Sequence, residues 1–390
     1  MKRALKLLYL THHRPHLVRF RAGAFAEQMA NKGHQVTVVC ISENRRFSWR
    51  EEHLNGVRYL ESPDSLPGKL RSGWDPWDTL RRIPGIRAAW READIVHAFE
   101  TRPATIFPLL WHQRRHPKPL LIDWNDWWGR GGLLTEQRPR WYQSLFGGME
   151  TWFEEHFRTR AAFTTVISGA LAERAAGLGV PRDRIVKITG GAHPDVFRPQ
   201  ASGVHRERFG LPETAILFGF SAMDVNMDLP LVFAALERAR AVNPDIALFL
   251  TGRSMPDPCP DGVFSLGLLP FEQLPDALAC ADVCLLPFPE KPANRGRWPN
   301  KVMDYLACGR PVITHPTGEM AGLFADGKAG RLVEEGPDPM AAAMLELAAD
   351  PGLRARMGSE GRRLAETTYS WTSLAERLQN CYDLAMTRHG

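Results

Sequence analysis

The feature that most constrains this chain is the alternation of short apolar runs with stretches of helical periodicity, which runs through the sequence and then restarts. Leu5 to Leu10 and Gln35 to Ile41 flank a helical pattern from Ala22 to Asn31 and predict a β-α-β unit. The alternation continues through Asp94 to Phe99, a helix near 103–112, Pro119 to Trp124, a long helical stretch over 139–159, Phe163 to Ser168, a helix over 169–178 and Arg184 to Thr189. After about residue 200 it begins again, with Ala215 to Phe220, a helix near 229–242, Ile246 to Gly252, Val263 to Leu266, a helix near 271–280, Val283 to Phe288 and Pro311 to Thr314. Runs of this kind, joined by helices, predict open parallel sheets flanked by helices. No short-period repeat accounts for the length, so a fold type has been used twice.

A chain of 390 residues with 44% hydrophobic content exceeds one ordinary core and predicts two domains of roughly 150 to 200 residues. Gly190, Gly191, Pro194 and Pro199 mark the exit from the first, giving domains at 1–197 and 198–370 with an amphipathic carboxyl-terminal helix beyond a break. No apolar run reaches the roughly 20 residues that span a bilayer. The six cysteines are scattered without metal-ligand spacing, which fits a reduced cytoplasm.

Residues 1–195 hold 30 Lys and Arg against 20 Asp and Glu, a net of +10, whereas residues 196–390 hold 19 against 24, a net of −5. Ten of the twelve tryptophans precede residue 153. A basic, tryptophan-rich half suits something anionic and partly greasy, such as a lipid-linked acceptor or the headgroups of an anionic membrane, the alternative being an arginine-rich surface of no functional meaning. The stretch from Arg45 to Arg91 concentrates Trp, Pro and Arg, but its apolar spacing is not cleanly amphipathic, which favours a loop-rich excursion with its tryptophans packed inward. No base-reading module accompanies the positive charge, so nucleic acid is not an expected partner.

Three stretches carry candidate chemistry. The loop after the first strand lacks the GxGxxG spacing of a dinucleotide site, which disfavours a nicotinamide or flavin enzyme. It is instead rich in His and Arg, and loops at the carboxyl ends of parallel strands bind ligands, so His12, His13, Arg14, Arg19 and Arg21 are candidates for an acceptor or phosphate. The strand ending at Trp124 runs into Asn125, Asp126, two tryptophans and a glycine-rich bend, a pattern that places a carboxylate at a sheet edge where backbone can approach a ligand. From Arg295 to Thr314 the chain reads as loop, short helix, glycine stop and buried strand. Pro299 and a capping Asn300 would start that helix near Lys301, whose free N–H groups favour an anion, with Asp304 one turn on to accept from ribose hydroxyls. His193, beside the glycine pair, is either a site or a hinge residue.

The segments Ala26 to Val39, Asp94 to Ala98, Ile167 to Ile188, Tyr305 to Ile313 and Tyr369 to Thr372, in this order along nearly the whole chain, resemble the landmarks of family 4 glycosyltransferases. The resemblance implies an α/β GT-B architecture of two Rossmann-like domains facing a cleft, with acceptor on the first, nucleotide sugar on the second, and the last helix, 371–390, crossing back to the first. It implies transfer with retention, without a metal and with no cofactor beyond the NDP-sugar co-substrate. The expected catalytic pair is Asp126 and Asn125, and the expected acceptor set is His12, His13, Arg14, Arg19 and His193. The expected donor set is Ser221, Arg253 and Asn294 together with Arg297, Asn300, Lys301, Asp304 and Glu319.

The chain departs from the family pattern at the donor phosphates. Ser221 and Ala222 stand where Gly-Arg is usual, and Met227 stands where a lysine is usual. Of the family's paired glutamates, Asp304 matches the second and Arg297 occupies the first position. These departures predict that the phosphate cations have moved to Arg297 and Lys301, a degraded donor site being the alternative. Asn125 replaces a His that often precedes the aspartate and cannot shuttle a proton, which is compatible with the leaving phosphate taking the acceptor's proton. The competing functions are a nucleotide-sugar epimerase on the same fold and a catalytically degenerate binding subunit.

Overall fold

The computed structural model describes residues 3–12, 21–41, 47–64, 73–221, 228–252 and 259–389. The chain forms two compact units, one of Met1–Thr189, Gly296–Trp298 and Trp371–Gly390, the other of Gly190–Arg295 and Pro299–Ser370. The division falls at Gly190, the first of the paired glycines, short of the expected boundary after residue 197.

The first unit holds strands β1 (Lys6–Leu10), β2 (Gln35–Ile41), β3 (Arg50–Leu54), β4 (Val57–Ser62), β5 (Ile95–Ala98), β6 (Leu120–Trp124), β7 (Phe163–Val166) and β8 (Ile185–Lys187) in the order β3-β4-β2-β1-β5-β6-β7-β8. Every neighbouring pair is parallel except β3 and β4, which form an antiparallel hairpin. The hairpin replaces part of the loop-rich excursion expected over Arg45 to Arg91 and adds an antiparallel edge to a sheet expected to be parallel throughout. Its signal was the Asn55-Gly56 dipeptide, whose φ values of 49° and 77° suit a tight hairpin turn between twisted strands. The chain progresses one way from β1 and the other way from β5, so the topological switch lies between them, and their carboxyl ends open a crevice there.

Alternation along β1 sends Leu7 and Tyr9 to one face and Leu8 and Leu10 to the other, each into its own core. The first core includes the helix Arg21–Asn31 and the last helix, Trp371–His389. Trp371 meets the Phe25 ring edge-on at 5.1 Å, and the Tyr382 hydroxyl lies 2.7 Å from that of Tyr9 and 2.9 Å from Nδ1 of His97. Burial pushes both phenols up and the imidazole down, so this polar chain is neutral inside the core. Leu374, Leu378 and Tyr382 are all fully buried, and burial of such side chains stabilises by roughly 1.5–3 kcal/mol each. The last helix is thus part of the first unit's core, although it follows the second unit in sequence.

The second unit holds β9 (Ile216–Ser221), β10 (Ile246–Thr251), β11 (Val263–Ser265), β12 (Val283–Leu286), β13 (Val312–Thr314) and β14 (Gly330–Leu332), all parallel, in the order β11-β10-β9-β12-β13-β14. Every residue of β10 is buried, which is why it reads as a continuous apolar run. The switch here lies between β9 and β12. The helix Lys301–Ala307 starts where the sequence places it and turns into β13 through Gly309, whose φ of +68° favours glycine.

Candidate active site

At the switch point of the first sheet, the carboxyl ends of β1, β5 and β6 border a cavity of about 190 Å³. His12, Arg21, Asn125 and Asp126 line it, so the structure brings together four of the residues singled out from sequence. His13, Arg14 and Arg19 lie outside the described residues, as do Ala222, Met227 and Arg253.

His12 is buried and lies two residues beyond the end of β1. Its Nδ1 pairs with Glu100, just beyond β5, and the same carboxylate accepts from the His12 backbone N–H and from Thr11 Oγ1 at 3.3 Å. This arrangement orients the ring at the cavity edge. Arg21, at the start of the first helix, turns inward: its Nε donates to both oxygens of Asp123 at 3.1 and 2.9 Å, and its Nη1 donates to the Thr189 carbonyl at 2.7 Å. The pair is almost wholly buried, so Arg21 acts as a brace of the cavity wall.

Asp126 is half-buried at the end of β6, and the Asn125 amide donates to its Oδ2 at 3.1 Å. The loop carrying the two is fastened from behind by Glu154, on the helix Arg140–Glu155. One oxygen of Glu154 accepts from Trp124 Nε1 at 2.8 Å and from the Trp128 N–H at 2.7 Å, while the other accepts from the Gly129 N–H. Glu150, one turn earlier, accepts from Trp128 Nε1 and from the Tyr142 hydroxyl. Burial raises the pKa of the Glu154 carboxyl, opposed by the Trp128 N–H it accepts. Gly132 is required sterically, because a Cβ there would come within 2.1 Å of the Trp127 carbonyl.

Cations balance these carboxylates. The Arg158 guanidinium lies 3.8 Å from the Trp124 ring centre, and Arg158 Nη1 donates to the Asp123 carbonyl at 3.0 Å. Arg102 stands over Trp128 at 5.2 Å. Burial lowers the pKa of Arg158 to about 9 and of Arg102 to about 10. Neutral Glu154→Gln is expected to destabilise the protein by about 1–2 kcal/mol, since the amide keeps one acceptor oxygen where three donors converge. Urea unfolding measures this; an unchanged midpoint would show that the loop does not depend on Glu154.

Sequence reasoning missed Glu100, Arg102, Glu150, Glu154 and Arg158. Glu100 was detectable, because it directly follows a predicted strand at the sheet edge where ligands bind. Glu150 and Glu154 stand i,i+4 on a helix whose inward face only packing reveals.

In the second unit, the ends of β9 and of the helix Lys301–Ala307 meet. The Lys301 ammonium donates to the Ser221 carbonyl at 2.6 Å, and the Ser221 N–H donates to the Tyr305 hydroxyl at 3.0 Å. Asp304 and Glu319 are half-buried, and Asn294 is fully buried with its amide donating to the Pro289 carbonyl at 2.8 Å. Asn300 does not cap the helix. Its backbone is already helical, at φ −51° and ψ −30°, and its exposed side chain makes no capping bond, because the turn begins at Pro299 through the 3.0 Å bond from the Val302 N–H. Arg297 is buried and falls with Gly296–Trp298 in the first unit, so it does not share a unit with Lys301. His193, half-buried, falls in the second unit and not in the one that holds His12.

Two parallel-sheet units of this kind define the GT-B class. The fold is shared with sucrose-phosphate synthase from Thermosynechococcus elongatus, at a TM-score of 0.74 and 16% identity, covering 98% of this chain and 99% of that one. It is also shared with Anabaena Alr3699/HepE in complex with UDP and glucose, at a TM-score of 0.70 and 14% identity, covering 97% and 99%. Residues 18–191 match the family described as Glycosyl transferase 4-like domain, and residues 216–350 match Glycosyl transferases group 1. The chain belongs to the family 4 glycosyltransferases. It is 29% identical over 234 residues to the GDP-mannose-dependent alpha-(1-6)-phosphatidylinositol monomannoside mannosyltransferase of Mycolicibacterium smegmatis, covering 56% of this chain and 58% of that one. The matches span about half the length of this and the next curated relatives.

Proposed function

We propose that the protein transfers a glycosyl residue from a nucleoside-diphosphate sugar to a hydroxyl of an acceptor held in the first unit's cavity, with retention and without a metal. The observation that carries this is the Lys301 ammonium 2.6 Å from the Ser221 carbonyl, at the carboxyl end of β9. Ser221 leads into the loop that lacks the family's own cations, and Lys301 brings a positive charge to its start. As the bond from the anomeric carbon to the phosphate oxygen breaks, negative charge collects on the diphosphate and Lys301 stabilises it. The acceptor oxygen bonds to the anomeric carbon, and its proton passes to the departing phosphate, so Asn125 needs no proton of its own. Asp126 positions the reacting sugar or acceptor.

The acceptor is anionic or lipid-linked. Trp74, Trp124, Trp128 and Phe153 give the cavity flat apolar walls for a ring, while its arginines are balanced by the carboxylates beside them, so the anionic character of the acceptor is read from the net charge of +10 over residues 1–195. The mycobacterial relative, named for a phosphatidylinositol monomannoside, supports a membrane lipid as acceptor. The reading places the protein at the cytoplasmic face of an anionic membrane; no helix among the described residues is long and apolar enough to cross one.

Thermal-shift screening of UDP-, GDP-, dTDP- and ADP-sugars, followed by transfer of labelled sugar to a lipid extract, tests the proposal. A donor at 100 times its dissociation constant stabilises the fold by about 2.7 kcal/mol. One donor should raise the unfolding temperature and label the extract. A shift without transfer would favour the binding-subunit reading, and conversion of the donor sugar without transfer would favour the epimerase.

A further inference from the structure

We propose that the first unit docks on an anionic lipid bilayer through the outer faces of three helices, Pro76–Gly85, Pro103–Gln113 and Arg140–Glu155, beside its acceptor cavity. This rests on the reading of that cavity as the acceptor site. Sixteen large apolar side chains stand exposed among the described residues, and nine of them lie on these helices. On Arg140–Glu155, Trp141, Leu145, Met149 and Trp152 follow one another at intervals of four, four and three, with Phe146 beside them, and each is between 40% and 70% exposed. That spacing is a helix stripe turned away from the core. Phe107 and Trp111 on Pro103–Gln113 and Trp77 and Leu80 on Pro76–Gly85 are exposed to a similar degree.

The faces adjoin. Phe107 and Trp152 both pack edge-on against Phe153, at 5.6 and 5.0 Å, and Arg82 joins the first two helices by donating to the Ala104 carbonyl at 3.4 Å. Nine exposed large apolar side chains on adjoining helices mark an interaction surface.

Its charge selects the occupant. No carboxylate of these three helices stands unpaired on the outside: Asp78 is buried against Arg82, Glu150 and Glu154 turn inward to the Trp128 loop, and Glu155 pairs with Arg174. Exposed Arg81, Arg114, Arg115 and Arg140 edge the patch, and the Arg115 guanidinium lies over the Trp111 ring at 3.8 Å. Indole rings settle at headgroup depth, and arginines pair with lipid phosphates. A symmetric contact with a second copy would instead bring these arginines together, with no unpaired carboxylate on the outer faces of the helices to meet them.

The patch and the cavity share a wall. Phe153 lines the cavity and carries Phe107 and Trp152 against it, and Glu150 on the same helix holds Trp128. A lipid-anchored acceptor can therefore keep its tail in the bilayer while its head enters the cavity.

Sedimentation of the full chain with vesicles of equimolar phosphatidylcholine and phosphatidylglycerol tests the docking and requires neither donor nor transfer. Loss of the transferase reading would leave this result standing, and loss of docking would leave the donor screen standing. The protein should bind these vesicles, release in high salt and bind pure phosphatidylcholine weakly. The double variant Leu145→Glu, Trp152→Glu should bind about tenfold less, with an unchanged unfolding transition. Should that variant fail to fold, the variant Arg114→Glu, Arg115→Glu should show the same loss. No binding to the mixed vesicles, equal binding by folded variants, or a dimer of the wild type that these substitutions dissolve would overturn the proposal.

Discussion

Replacing Asp126 with Asn is expected to lower kcat by about a thousandfold, close to 4 kcal/mol of transition-state stabilisation, while donor affinity stays within about twofold. The variant preserves size and keeps an oxygen for the 3.1 Å bond from Asn125, so the loop should hold its shape and only the charge is lost. Asp126 lies in the first unit and the candidate donor residues Ser221 and Lys301 lie in the second, which is why the two measurements should separate. Initial rates and calorimetric titration of the nucleotide sugar check the outcome. Near-normal turnover would remove Asp126 from the mechanism.

Lys301→Ala is expected to weaken nucleotide-sugar binding by about 10- to 100-fold, the range for loss of a hydrogen bond to a charged group. The lysine stem is half-buried at the first turn of its helix, and its ammonium is already directed at the end of β9. An unchanged affinity would sink the idea that the diphosphate cation has moved to this position. A matching loss in Lys301→Met would assign the effect to charge and not to the packing of the stem.

The distance between what was legible in the chain and what was not follows the range of the interactions. Strand and helix positions in both units were readable, because β10 and the runs around it are buried and helix stops such as Gly309 are local backbone requirements. The hairpin at Asn55-Gly56 is also a local signal, masked in the sequence by the surrounding Trp, Pro and Arg. Of the tryptophans in that region, Trp90 is indeed fully buried, donating to the His116 carbonyl at 2.9 Å, while Trp77 is 59% exposed. Asn300 misled because a capping residue type does not determine its own dihedrals, and the preceding proline had already started the turn.

Sequence alone determined the doubly wound class, the family, and the placement of His12 and Asp126 at strand ends, since periodicity and strand-end loops are properties of neighbouring residues. Only the tertiary structure decided that Glu100 grips His12 from the loop after another strand, that Glu154 fastens the Asp126 loop from a helix, and that Lys301 reaches the carbonyl of Ser221 eighty residues before it. It alone decided that Trp141, Leu145 and Trp152 face outward while Glu150 and Glu154 face in, an inversion of the usual helix that hydropathy cannot assign to a side. These are pairings across long loops, and which partner a buried or exposed group finds is set by packing, not by its own position in the chain.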